Sequence, residues 1–145
     1  MWYKAILQET GSMGLLDLFR KKKIELSDRQ LKWNKMWELW AEEKIQSPYT
    51  ELMTYQSEIN NGGHAQYFFN ISSICDLQKE MAMLETILPT QLKETLKTAY
   101  SAFLSLEESD DKKAEEILEQ CDDTFYENEK EINHILQEYA DTIEL

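Results

Sequence analysis

At 145 residues the chain is one domain's length, enough to bury roughly 68% of its unfolded surface without disulfide or metal staples. Hydrophobic residues make up 42% of it, ordinary for a globular protein and too many for a disordered one. The formal net charge of −13 argues against direct nucleic-acid binding, because phosphates would be repelled, and favours a basic partner.

Valine is absent, and Gly and Pro number only 4 and 2. Leu, Glu, Lys, Gln, Met and Ala fill the chain, and all are good helix formers. The composition predicts an all-α protein, a compact bundle of six or seven helices. Residues 1–26 read as an N-terminal arm and residues 27–145 as a single helical domain. Within the arm, Met13 begins a run that reads like a bacterial start, and an apolar stretch is followed by Arg20-Lys21-Lys22-Lys23. A signal peptide would carry these features in the opposite order. No stretch approaches the ~20 apolar residues of a membrane span. The expectation is a cytoplasmic protein that does not bind membranes.

Ser27 opens the first domain helix, with Gln30 placed for a capping box. Trp33, Met36, Trp37, Trp40 and Ala41 follow at helical spacing and are expected in the core. Pro48 breaks this helix and starts the next, whose inward face is Tyr49, Leu52, Met53, Gln56 and Ile59. Asn60-Asn61-Gly62-Gly63 is a stop signal, because Asn and Gly tolerate left-handed conformations. A short aromatic turn is expected at Tyr67-Phe68-Phe69. Asp76 is the N-cap of a helix carrying Leu77, Met81, Leu84 and Leu88. After Pro89 comes a helix lined by Leu92, Leu96, Ala99, Tyr100 and Phe103. Ser109, with Asp110 and Asp111, caps a helix whose core positions are Ala114, Ile117, Leu118 and Cys121. The last helix is expected from Asp122 or Asp123, burying Phe125, Ile132, Ile135, Leu136, Tyr139 and Ile143; the sequence leaves open whether these final two are one bent rod.

The chemistry-bearing residues are sparse. Cys75 and Cys121 form no CxxC motif and read as small core residues of a reducing compartment. Glu131 and His134 share a helix face, but a di-iron bundle needs a second such pair and two further glutamates. No metal, cofactor or catalytic residue is therefore assigned, and a Cys–His nucleophile has no local support. The acid excess is concentrated instead. From Glu107 onward there are fifteen acids and three lysines. Glu108, Asp111, Glu115, Glu119 and Asp122 are spaced 3-4-4-3, one row flanking a core face. Glu127, Glu131, His134, Glu138 and Asp141 are spaced 4-3-4-3, a row pointing away from the core. In the first row the carboxylates average ~5 Å of helix rise apart, against ~3.4 Å between phosphates of one DNA strand. The plain alternative is a solvated face that adds only solubility.

The segment Asn60, Asn61, Gly62, Gly63, His64, Ala65, Gln66, Tyr67, Phe68, Phe69, Asn70 resembles the signature of a bacterial family named for a double-stranded-DNA-mimic protein. Its Asn-Gly-Gly-x-x-Gln-Tyr-Phe core, closed by an Asn, is matched, and Asp122-Asp123-Thr124-Phe125-Tyr126 is similar to the family's Asp-x-x-Phe-Tyr element. The resemblance covers about residues 28–140. It implies an all-helical fold, brings no catalytic residues with it, and implies in at least one branch a dimer that binds a DNA-binding regulator through acidic surface; the expectation is a binding protein and not an enzyme. Taken by themselves, the residues read as a structural turn: the glycines reverse the chain, Asn61, Gln66 and Asn70 satisfy exposed backbone groups, and Tyr67 and Phe68 anchor it. A small-ligand pocket or an enzyme working at this loop is one alternative. An immunity or antitoxin-type inhibitor covering a basic nuclease is another.

Overall fold

The computed structural model describes residues 26–109 and 111–145, so the expected arm, with its Met13 start and basic cluster, lies outside the described residues but for Leu26. The described residues are helical, in five helices: α1 Asp28–Ala41, α2 Tyr49–Ile74, α3 Leu77–Glu85, α4 Thr90–Ser109 and α5 Lys112–Ala140. The expected number was six or seven. The difference lies largely at Asp122-Asp123, where no boundary exists. No Gly or Pro interrupts residues 112–140, and Ala114, Leu118, Cys121, Phe125, Ile132, Leu136 and Ala140 keep one buried stripe throughout.

The caps follow the sequence with two corrections. Ser27 Oγ accepts the Gln30 N–H at 3.2 Å, but the Gln30 amide turns to Asn34 instead of closing a capping box. Asp76 accepts from the Gln78 and Lys79 N–H groups. Ser109 ends α4, and the cap of α5 is Asp111, which accepts the Lys113 N–H at 2.9 Å.

The stop signal acts within α2. Gly63 takes φ 82°, ψ −177°, and the helix is two arms folded across it. The Glu58 carboxylate accepts the Asn70 amide at 2.9 Å. Twelve residues of straight helix would hold them ~18 Å apart, so the second arm doubles back on the first. Tyr67-Phe68-Phe69 is accordingly not a turn. It belongs to the second arm, where His64, Tyr67, Phe68 and Ile71 recur at helical spacing and are buried, leaving Phe69 66% exposed.

Helix α5 is the spine, in contact with α1, α2 and α4. One core joins Leu52, Met53 and Ile59 of α2, Leu77 to Leu88 around α3, Leu92, Leu96 and Phe103 of α4, and the α5 stripe. Only Met36 of α1 is buried; Trp33, Trp37 and Trp40 are half-buried against the core, edge to face with one another at 6.4 and 5.3 Å. Cys121 is buried as expected, but Cys75 is exposed, because it caps the end of α2 instead of lying on an inward face. No helix of the described residues is long and apolar enough to cross a membrane.

Candidate functional site

The two motif elements meet where the bend of α2 rests on the middle of α5. Asp122 Oδ1 accepts the backbone N–H of His64 at 2.8 Å and its ring Nδ1–H at 2.7 Å. In the neutral ring with its proton on Nδ1, Nε2 is the acceptor for the Tyr55 hydroxyl, 2.6 Å away. His64 and Tyr55 are fully buried, and burial pushes the Tyr55 phenol well up, so it keeps the proton it donates. The carboxylate thus supplies the backbone acceptor that the bend leaves wanting and orients the imidazole as well. A Cβ on Gly63 would run into this carboxylate, and one on Gly62 would strike the Gln66 side chain.

Further polar contacts fasten the bend. Tyr126 donates its hydroxyl to the Ile59 carbonyl at 3.0 Å. Gln56 and Asn60 both donate to Glu129 Oε2, and Gln56 also to Asn133. Gln66 and Asn70 both donate to Glu58, not to the backbone of the turn as expected. Asn61 is exposed at the bend. Tyr67 and Phe68 anchor the second arm as expected, both fully buried. The Tyr67 hydroxyl has no partner among the described residues, and burial, with Glu80 next, pushes its phenol up. Tyr55, Glu129 and Asn133 were not foreseen as site residues. Gln56 gave the available signal, since an amide on an otherwise apolar face needs a polar partner from another element.

The acidic rows are partly consumed by structure. Asp111 is a helix cap and Asp122 holds the bend. Asp141 takes both Arg29 Nε and Nη2, at 3.2 and 3.0 Å, and these hydrogen bonds hold its carboxyl below the usual range. Glu108 belongs to the end of α4, so the expected row does not run through it; on α5, Glu115, Glu119, Glu127, Glu131 and Glu138 are exposed, with His134 Nε2 3.2 Å from Glu138. Because α5 is continuous, Glu116 and Asp123 join them. Glu116, Glu119, Asp123, Glu127, Glu131 and Glu138 form one exposed stripe opposite Leu118, Ile132 and Leu136, with His134 in its last gap, Lys130 along its edge and Lys112 and Lys113 one turn before Glu116. It spans ~33 Å at 1.5 Å per residue. A groove of about 340 Å³ opens off this stripe, between Asn60 to Gly63 on α2 and Glu119, Asp122, Asp123 and Tyr126 on α5.

Among the described residues no group of three or more His, Cys, Asp or Glu side chains is arranged to hold a metal ion. No curated protein and no solved structure matches the chain. The model of one protein family, described as DMP19-like protein, matches residues 43–143. That span runs from just before α2 to beyond α5 and takes in the whole of the bend, its His64–Asp122 clasp and the acidic stripe, so the chain belongs to the DMP19-like protein family.

Proposed function

We propose that the protein is a non-enzymatic binding protein that offers the outer face of α5 to a basic, DNA-binding partner in the place of a DNA strand. The observation that carries this reading is the exposed stripe from Glu116 to Glu138. Its six carboxylates average ~6.6 Å of helix rise, roughly half the charge density of one DNA strand at ~3.4 Å per phosphate. Such a stripe does nothing for the helix that carries it, since each like-charge pair at i, i+4 costs a few tenths of a kcal/mol. Membership in a DNA-mimic family supports the same reading. Catalysis at the bend is disfavoured because both His64 nitrogens are engaged and the ring is fully buried.

The test is capture from a host lysate on the immobilised protein, eluted with a salt gradient. The expected result is basic DNA-binding proteins that duplex DNA displaces, and their loss when Glu116, Glu127, Glu131 and Glu138 are replaced together by Gln. Partners held equally by the fourfold variant, or indifferent to duplex DNA, would reduce the stripe to a solvated face.

A further inference from the structure

The groove at the bend has a chemistry of its own. At about 340 Å³ it lies at the small end of the range in which proteins hold ligands. Resting on the reading above, we propose that this groove is an arginine socket, which receives one guanidinium group of the basic partner. Features of different origin converge on a planar cation. The last turn of the first arm of α2, Asn60 to Gly62, forms one side of the groove and offers it the amide side chains of Asn60 and Asn61. The Tyr126 ring is 47% exposed, and its hydroxyl bond to the Ile59 carbonyl pins it, so an aromatic wall stands ready for stacking. Asp122 spends Oδ1 on His64, whereas its Oδ2 accepts no hydrogen bond from the described residues. Glu119 and Asp123 add exposed carboxylates from the same side of α5. The Tyr126 phenol is pushed up by burial and then by the charges of Asp122, Glu129 and Asp123, as expected beside a negative groove.

Arginine fits this combination better than lysine. Its flat fork donates to two carboxylates at once while its face lies on a ring, and it sheds water more readily than an ammonium group. The socket also gives the family motif a part in recognition: the bend that Gly63 permits and the His64–Asp122 clasp secures forms one wall.

The experiment is an NMR titration of the whole protein with N-acetyl-arginine amide and, separately, N-acetyl-lysine amide. Arginine amide should shift signals of Asn60 to His64 and Glu119 to Tyr126 and bind more tightly than lysine amide. Tyr126→Leu should weaken it about two- to fivefold, the range of an exposed cation–π contact. Tyr126→Phe keeps the ring but loses the hydroxyl that pins it, so it should bind more weakly than the parent and more tightly than Tyr126→Leu, and Glu119→Gln with Asp123→Asn should weaken binding most at low salt. Shifts spread evenly along Glu116 to Glu138, lysine amide binding as tightly as arginine amide, or an unaffected Tyr126→Leu would each overturn the socket. The fourfold Gln variant of the capture experiment leaves the groove residues untouched. A failed socket, with capture by the parent that the fourfold variant loses, would therefore leave the acidic face standing, and capture that the fourfold variant retains, with arginine binding intact, would fault the face alone.

Discussion

Gly63, at φ 82° and ψ −177°, occupies a region essentially closed to residues with side chains. It is also crowded from outside, since the Asp122 carboxylate fills the space a Cβ would take. Gly62 differs: its backbone is helical, and what a Cβ would meet is the movable end of Gln66. Gly63→Ala should therefore cost ~2–4 kcal/mol, combining ~1–3 of backbone strain with a damaged clasp. Gly62→Ala should cost ~1 kcal/mol, about one hydrogen bond. Urea denaturation of both variants checks this, and equal losses would show that the bend does not depend on the left-handed glycine. The motif made a glycine turn with a positive φ at Gly63 legible here, but not what packs against it, which is Asp122, 59 residues further along the chain.

At the scale of elements, the two arms of α2 are tied to each other by the Tyr55–His64 hydrogen bond and by one carboxylate. Glu58 on the first arm accepts from Gln66 and Asn70 on the second, at 3.1 and 2.9 Å. Glu58→Ala removes both acceptor contacts and should destabilise by ~1–3 kcal/mol, the range for hydrogen bonds to a charged group discounted for partial exposure. The loss should appear in hydrogen exchange as faster opening of residues 64–74 than of α4; uniform protection would place the arms' cohesion in the apolar core alone. Helix α5 shows the reverse relation between sequence and structure. Two acids at Asp122-Asp123 look like a fresh N-terminus. Yet the heptad-like stripe of Cys121, Phe125, Ile132 and Leu136 continues across them, and burial of that stripe outweighs the local capping preference.

At the scale of the whole molecule the charge matters most. A formal charge of −13 repels itself, and among the described residues the only ion pair on the exposed α5 stripe joins His134 to Glu138. Thermal stability should rise as salt is raised from low to physiological ionic strength, where exposed charges are screened beyond ~8 Å. The fourfold Gln variant of α5 should be more stable than the parent at low salt and lose this advantage at high salt. A melting temperature unmoved by salt in both proteins would mean that the stripe carries little electrostatic strain.

Helical class, the inward faces of α3, α4 and α5 and the acidic character of the last quarter were legible in the residues alone, because each depends on composition and on periods of a few positions; the second arm of α2, expected as a turn, and the exposed Ala41 of α1, expected in the core, were not. Leu77, Met81, Leu84, Leu88, Leu92, Leu96, Ala99, Phe103, Leu118 and Phe125 were read as inward and are buried. Free and committed acids look alike along the chain, since a carboxylate is freed or committed by what lies across from it. Only the tertiary structure separates Asp122 under His64 and Asp141 beneath Arg29 from Glu119, Glu127 and Glu131, which face solvent, whereas Asp111 was already legible as part of a helix cap. The same holds for the bend, where partners nearly sixty residues apart decide which backbone N–H is satisfied and leave an open groove beside it.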